Sequence, residues 1–279
     1  MLHHDRVIDI LQRWADEQDS VVAMILTSSR ANPSAITDIF SDYDIQLFVT
    51  DIEPYMNDEW LSYFGNIMIR WPLKPMSTFS KDWITRLVLF DNQVRIDFQI
   101  TSKGLIETSA YDIGFKVLVD KQGLTKGLNE PTFSEYIIKK PTREEYEALV
   151  NGFFWDVIYI AKYLWRDEIY FAKYMFDSAI RFHHLCKIIE WYIGSQNNWA
   201  ISTGQYGRFF KRYLDPETWA ELESTFADAG VENNWVALFK LIGLFRRLAK
   251  YVAGNLGYEY PSELDARITE YCNRAESLK

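Results

Sequence analysis

The sequence predicts an α+β protein, with an N-terminal domain that holds a mixed β-sheet flanked by helices and an all-helical C-terminal domain. Three observations lead to this prediction. Short apolar runs bounded by polar turns, typical of buried strands, recur as far as Asp120. The pattern changes near 131–141, and from Thr142 onward helical periodicity prevails with few strand signals. We therefore place the two domains at residues 1–135 and 136–279, a division that suits a chain of 279 residues.

The first elements of the chain are one helix and two strands. Residues 5–19 are predicted to form an amphipathic helix, because apolar side chains recur at helical spacing: Val7, Ile8, Leu11 and Trp14. The continuous apolar run at 21–27 is typical of a strand that is buried on both faces. A polar stretch that contains proline follows, and a second strand is predicted at 44–51.

The rest of the N-terminal domain is predicted to complete the sheet. A short helix near 58–64 precedes a strand at 67–71. The segments 83–90 and 94–101 flank a three-residue turn, and this arrangement predicts a β-hairpin. Residues 115–120 fit either another strand or a short helix, and the sequence pattern leaves both open.

The C-terminal domain is predicted to consist of helices alone. Thr142, followed three positions later by Glu145, has the residues of a capping box, which marks a helix start. Pro216 follows Asp215, which places a proline at a first helical position. Apolar periodicity predicts the helices at about 142–166, 168–195, 205–213, 216–228, 232–253 and 263–277.

The charge of the chain excludes one class of partner and favours others. The 39 acidic and 30 basic residues give a formal net charge of −9, whereas phosphate contacts to nucleic acid need a basic face. Most of the excess lies in residues 1–135, which hold 20 acidic and 12 basic residues. Such a field attracts divalent metals and polycationic small molecules. We therefore expect no nucleic-acid partner.

Hydropathy bears on the compartment. No apolar run reaches the roughly 18 residues of a membrane span, and the N-terminal segment lacks the apolar region of a secretory signal. We therefore expect a cytoplasmic protein with no membrane partner. The sequence pattern leaves the oligomeric state open.

The most informative stretch joins the ends of the first two strands. Thr27-Ser28-Ser29-Arg30 closes the first strand, and Ser41-Asp42-Tyr43-Asp44 opens the second. Side chains alternate between faces along a strand, so Asp42 and Asp44 are expected to point the same way. Two carboxylates this close repel each other, and a divalent cation is the usual way to offset the repulsion.

A third carboxylate extends the pattern. Asp97 lies between Ile96 and Phe98, so its strand is expected to bury their face and to present Asp97 on the other. If this strand lies beside that of Asp42 and Asp44, the three carboxylates converge on a site for one or two Mg²⁺ ions that hold a triphosphate. The alternative interpretation makes Asp42 a cap and Asp97 a partnered strand residue. The order of the elements resembles the nucleotidyltransferase superfamily, which includes DNA polymerase β and the kanamycin- and streptomycin-modifying enzymes.

Further motifs in both domains make the resemblance more specific. They are Ser29-Arg30-Ala31-Asn32, Asp42-Tyr43-Asp44-Ile45, Phe48-Val49-Thr50-Asp51, Trp60-Leu61, Phe64-Gly65, Lys116-Val117-Leu118-Val119-Asp120-Lys121, Lys140-Pro141-Thr142 and Lys211-Arg212-Tyr213-Leu214. On these segments the chain resembles the aminoglycoside 6-adenylyltransferases, the streptomycin-modifying enzymes of Gram-positive bacteria. The resemblance implies the fold of that family and its reaction, the transfer of an adenylyl group from ATP to a streptomycin hydroxyl.

The resemblance also implies roles for individual residues. Asp42 and Asp44 would hold Mg²⁺ that bridges the ATP phosphates, while Asp97 would either complete the metal site or accept the proton of the attacking hydroxyl. The other expected nucleotide contacts come from Ser28, Ser29, Arg30 and Lys116. In this interpretation the serine turn holds the terminal phosphates, Arg30 clamps phosphate oxygens and Lys116 neutralises the triphosphate.

The acceptor site is expected between the two domains, where a cleft is most easily built. A polycationic aminoglycoside needs acidic walls, together with aromatic faces for its sugar rings. Glu168 is the first choice for the acidic wall, because the segment around it is similar to an Arg-polar-Glu segment of the family. Asp167 and Trp155 are the other expected acceptor contacts.

Ser28 departs from the Gly-Ser-Arg sequence that the family usually has. Glycine lets the backbone approach the phosphates closely, whereas the Cβ of serine costs about 1 kcal/mol or more if φ is positive. Two alternatives to adenylyl transfer to streptomycin stay open. One is a nucleotidyltransferase for another hydroxylated molecule, such as a different aminoglycoside or a lincosamide. The other, which follows from Ser28, is a catalytically impaired protein that binds nucleotide or drug.

Overall fold

The computed structural model describes residues 5–33, 35–78, 81–106 and 111–278. The chain divides into two compact units, Met1–Glu135 and Tyr136–Lys279, and each has a hydrophobic core of its own. The N-terminal unit contains a β-sheet with helices, and the described elements of the C-terminal unit are helical. The α+β class predicted from the sequence is therefore confirmed.

Six strands form one sheet in the N-terminal unit: β1 (Val21–Thr27), β2 (Tyr43–Val49), β3 (Ile67–Ser77), β4 (Ile84–Phe90), β5 (Arg95–Ser102) and β6 (Phe115–Asp120). They are hydrogen-bonded in the order β3-β4-β5-β2-β1-β6. β2 and β5 run parallel, and the other neighbouring strands run antiparallel. The sheet is therefore mixed, and its parallel pair lies at the centre.

Three elements of this unit settle or modify the sequence predictions. Residues 115–120, which fitted a strand or a helix, form the edge strand β6. The helix predicted near 58–64 is a 3₁₀ helix at Glu59–Tyr63. The strand predicted at 67–71 continues to Ser77. It can include prolines because β3 is the other edge strand of the sheet, and its pairing with β4 is interrupted between Trp71 and Met76.

The two faces of the sheet differ in polarity. One face packs against helix α1 (Arg6–Glu17), and an aromatic cluster lies there, with the ring centroids of Trp14 and Phe64 5.2 Å apart. On the opposite face a small apolar cluster forms around Ile25 and Phe48. The same face carries the polar side chains of β2 and β5, since their apolar neighbours take up the buried face. It is this second face that carries the candidate site.

The C-terminal unit is built from helices α2 (Arg143–Trp165), α3 (Ile169–Tyr174), α4 (Cys186–Gln196), α5 (Phe210–Tyr213), α6 (Pro216–Glu223), α7 (Val231–Leu256) and α8 (Ser262–Ser277). The capping box that starts α2 is confirmed, and a stacked pair of phenylalanine rings joins α2 to α7 in the core. The helix predicted at 168–195 is divided, because a π-helix at Met175–Leu185 separates α3 from α4. None of the helices in the described ranges is both long and apolar enough to cross a bilayer.

Candidate active site

Three carboxylates meet at the ends of the two central strands. β5 pairs directly with β2, and the Cα of Asp97 lies opposite that of Asp44. Asp42 precedes β2 by one residue, and Thr27 at the end of β1 pairs with Asp44 from the other side. Asp44, Asp97 and Thr27 line a cavity of about 270 Å³. The condition set by the sequence, that the strand of Asp97 lies beside that of Asp44, is met.

Burial and the neighbouring negative charges raise the pKa values of Asp44 and Asp42. The pKa of Asp44 is raised to about 6, first by burial and then by the negative charges of Asp97 and Asp42. Burial is also the main cause that raises the pKa of Asp42. A hydrogen bond from the Ser28 hydroxyl to Asp44 acts in the opposite direction, because it stabilises the ionised form. The site therefore holds an excess of negative charge that favours the binding of a cation.

Arg95 is a site residue that the sequence interpretation missed. Its Nε and Nη2 atoms donate to the two carboxylate oxygens of Asp97, at 2.9 and 2.7 Å, and its Nη1 lies 3.3 Å from Oδ2 of Asp42. The guanidinium thus bridges two of the three carboxylates. Arg95 lies two residues before Asp97, so strand alternation places both on one face, and this spacing is the signal by which it is recognisable in the sequence.

The donor set has the chemistry that Mg²⁺ prefers, because it consists of carboxylate oxygens in a site of excess negative charge. As the side chains stand, Asp42 and Asp97 are turned towards Arg95. Within the described ranges, no group of three acidic, histidine or cysteine side chains is arranged round a common point as a ligand set for a metal ion. The residues therefore fit a divalent cation chemically, while the Arg95 guanidinium supplies the positive charge in this structure.

The turn after β1 forms a single 3₁₀ turn at Ser28–Arg30. Ser28 has a φ of 60°, in the left-handed region that favours glycine. The condition under which serine is strained here is therefore met. The turn is anchored to β2 by the bond between Ser28 and Asp44.

The strain at Ser28 has a measurable consequence. Ser28→Gly and Ser28→Ala both remove the hydroxyl, but only alanine keeps a Cβ at positive φ. We expect the glycine variant to have a free energy of unfolding about 1 kcal/mol higher than the alanine variant, because the left-handed conformation is strained only for alanine. Urea unfolding of the two variants checks this difference, and equal midpoints would contradict the strain.

Known proteins are similar to the chain along nearly its whole length. The profile of the family described as streptomycin adenylyltransferase matches residues 1–275. An aminoglycoside 6-adenylyltransferase of Bacillus subtilis strain 168 is 33% identical over 279 residues, covering 97% of each chain. One from Campylobacter jejuni is 31% identical and covers 98% of this chain and 96% of its own. The chain belongs to the streptomycin adenylyltransferase family.

The relatives are adenylyltransferases, and this family member is a nucleotidyltransferase. A further aminoglycoside 6-adenylyltransferase, from Staphylococcus aureus, is 30% identical and covers 92% of this chain and 93% of its own. The crystal structure of an aminoglycoside 6-adenyltransferase from Bacillus subtilis has a TM-score of 0.49 at 27% identity, covering 96% of this chain and 97% of that chain.

Arg30 of this nucleotidyltransferase contacts the backbone that leads into β2. Its guanidinium donates to the backbone carbonyls of Ser41 and Asp42, at 2.8 and 3.1 Å, and lies 3.9 Å from the centre of the Tyr43 ring. These contacts hold the backbone that carries Asp42. Arg30 is thus a positioning residue in this structure, and its contact with phosphate stays a prediction, as does that of the half-buried Ser29.

Lys116 does not lie with the carboxylates. Lys116 lies on the edge strand β6 and pairs with Leu26 of β1. Asp44 pairs with Thr27, the residue that follows Leu26 on β1. Because adjacent residues of a strand point to opposite faces, Lys116 points to the face opposite Asp44, and it is exposed. The structure does not place Lys116 in the group with which the sequence interpretation associated it.

The three expected acceptor contacts do not form one cluster. Asp167 and Glu168 are exposed at the junction of α2 and α3, where Asp167 has a φ of 60°. Trp155 is 62% exposed on α2, ten residues before the helix ends at Trp165. At the rise of an α-helix this separation is about 15 Å along the axis. An acceptor that contacts all three has to extend along α2.

Proposed function

We propose that this family member transfers an adenylyl group from ATP to a hydroxyl of an aminoglycoside such as streptomycin, with release of pyrophosphate and in dependence on Mg²⁺. The observation that carries the proposal is the register of the parallel pair, which sets Asp97 opposite Asp44 beside the Ser28–Arg30 turn. The family membership and the names of the relatives support the reaction and the class of acceptor.

Each group of site residues has its own role in the proposed reaction. Asp42 and Asp44 are the residues that would hold Mg²⁺, which when bound neutralises charge on the departing pyrophosphate. The turn at Ser28–Arg30 would bind the terminal phosphates through its backbone amides and the Ser29 hydroxyl. The acceptor oxygen forms a bond to the α-phosphorus, and the bond from that phosphorus to the bridging oxygen of pyrophosphate breaks.

The proton of the attacking hydroxyl needs an acceptor. Asp97 is the proposed base, because it lies on β5, on the side of β2 that faces away from β1 and the Ser28–Arg30 turn. Its alternative role is that of a third metal ligand. Both roles require an ionised carboxylate, and in this structure the Asp97 carboxylate accepts two hydrogen bonds from Arg95.

Acceptor recognition in the C-terminal unit rests on Glu168 first. Glu168→Gln keeps the size of the side chain and removes its charge. We expect the acceptor KM to rise severalfold with kcat little changed, because the lost contact stabilises the bound acceptor equally in the ground state and in the transition state. Steady-state kinetics with varied acceptor measure the effect. Glu147→Gln, at an exposed position on α2, is the matched control for the loss of one negative charge. An unchanged acceptor KM in Glu168→Gln would remove Glu168 from the acceptor site.

The test of the function is pyrophosphate release from ATP and Mg²⁺ with streptomycin, other aminoglycosides and a lincosamide, with Asp44→Asn as the blank. Release with streptomycin alone supports the proposed acceptor. Release with another acceptor supports the proposed reaction and identifies a different substrate. If no acceptor gives release while ATP binds, the strained Ser28 favours the impaired binding protein, and Ser28→Gly is the variant to assay next.

A further inference from the structure

The register of the sheet forms a row of side chains that leads away from the carboxylates. Thr27 pairs with Asp44, Asp44 with Asp97, Asp97 with Leu87, and Leu87 with Trp71. Residues directly opposite each other on neighbouring strands share a face. The row therefore crosses five strands on the face of the candidate site and ends at Trp71 on the edge strand β3.

Trp71, at the end of this row, is exposed at the protein surface. It is 51% exposed, and Ile69, two residues earlier on the same face, is 63% exposed. Arg70 between them points to the opposite face, where it pairs with Asp58 at 2.7 Å. The row thus continues from Asp97 through the half-buried Leu87 to the half-exposed Trp71. At the usual spacing of strands, Trp71 lies about 10 Å from Asp97.

The direction of the reaction assigns the two ends of the row to different substrates. The turn at Ser28–Arg30 lies at the β1 end, where the proposed function places the phosphates of ATP. In-line displacement sets the attacking oxygen and the leaving pyrophosphate on opposite sides of the α-phosphorus. The acceptor then approaches from the β5 side of Asp44, over β4 and β3.

We propose that Trp71 is the platform on which a sugar ring of the aminoglycoside acceptor lies, with Leu87 beneath the stretch between that ring and the attacked hydroxyl. This inference rests on the proposed function and extends it by naming an acceptor contact within the N-terminal unit. An acceptor of several rings can place one hydroxyl at Asp97 while another ring covers the indole. The indole face attracts the cationic groups of such an acceptor, and its apolar surface packs against ring C–H groups.

The test compares Trp71→Ala, Trp71→Phe and Trp155→Ala with the wild-type enzyme. Trp155 is the exposed aromatic that the sequence interpretation assigned to the acceptor, and Tyr271→Ala, at a 39% exposed position on α8, is the surface control. Pyrophosphate release with varied aminoglycoside and with varied ATP gives both KM values. Calorimetry measures binding of the same aminoglycoside without ATP, and thermal unfolding checks that each variant is folded.

The expected result is a rise of about tenfold in the acceptor KM and Kd of Trp71→Ala, the size of one lost aromatic contact. Trp71→Phe should recover part of this loss, while the ATP KM stays within about twofold in every variant. An acceptor KM and Kd that do not change in Trp71→Ala would overturn the inference. A rise in the ATP KM would also overturn it, because it would place the adenine on Trp71.

The same measurements separate this inference from the proposed function. Turnover by the wild type with an unchanged acceptor KM in Trp71→Ala rejects the platform and keeps the function. If the wild type binds aminoglycoside without turnover, a weaker Kd in Trp71→Ala supports the platform although the reaction fails. If the wild type neither binds nor turns over any aminoglycoside, both proposals are rejected.

Discussion

Asp44→Asn is expected to lower kcat at least 100-fold while the protein stays folded. The substitution keeps the volume of the side chain and removes the charge of a carboxylate whose pKa is raised by burial. A metal ligand supplies several kcal/mol of charge stabilisation, so its loss falls on the chemical step. Pyrophosphate release at saturating ATP and acceptor measures kcat. A variant that retains more than about a tenth of the wild-type rate would contradict the assignment.

The stability of the same variant provides a control with a predicted sign. The pKa of Asp44 is raised from 3.8 to about 6 on folding, so the ionised group lowers stability fully above about pH 6. The metal-free Asp44→Asn protein should therefore unfold at the same or a higher temperature than the wild type at pH 8. The difference should shrink as the pH falls from 6 towards 4. Asp91→Asn, on the exposed turn after β4, removes an equal charge and should leave both kcat and the unfolding temperature unchanged.

Asp97→Asn is expected to lower kcat by a similar factor. The affinity of the variant for a metal ion distinguishes the two possible causes, the loss of a base and the loss of a metal ligand. If Asp97 is the base, the variant loses proton transfer and keeps its affinity for Mn²⁺, an oxygen-ligand stand-in for Mg²⁺. If Asp97 is a ligand, the affinity for Mn²⁺ falls at least tenfold. Electron paramagnetic resonance of free Mn²⁺ gives the Kd for the wild type and for both aspartate variants.

A kcat within tenfold of the wild type would contradict a direct role for Asp97. With an unchanged unfolding temperature, it would make Asp97 only a partner of Arg95. With a raised unfolding temperature, it would make Asp97 an aspartate that merely adds repulsion to Asp44. Asp91→Asn serves again as the control for the loss of one negative charge in the N-terminal unit.

Local pattern was sufficient for much of the candidate site. The alternation of faces along a strand marked Asp97 as lying opposite its apolar neighbours, and the structure has this arrangement. The capping box at Thr142 predicted the start of α2 to the residue, because a cap involves only four consecutive positions. The strain at Ser28 was conditional on a positive φ, and only the structure supplied that angle.

Other features depend on segments that are distant in the chain. Nothing local to β3 indicates that Trp71 shares a row with Asp97, because that follows from the registers of two strand pairs. The π-helix at Met175–Leu185 interrupts a segment whose apolar periodicity suits one continuous helix. Lys116 was expected to neutralise the triphosphate, whereas the pairing of β6 with β1 turns it to the face opposite Asp44.

The sequence by itself determined the class of the fold and the family, and it singled out the three aspartates as candidate site residues, because each depends on residue types and on spacing within short segments. The tertiary structure decided what surrounds those aspartates. Strand order and register bring Asp97 beside Asp44, place the Arg95 guanidinium between Asp97 and Asp42, and align Trp71 with them. The contacts between strands join residues far apart in the chain, and their geometry is set by the packing of the whole sheet against its core rather than by local preference.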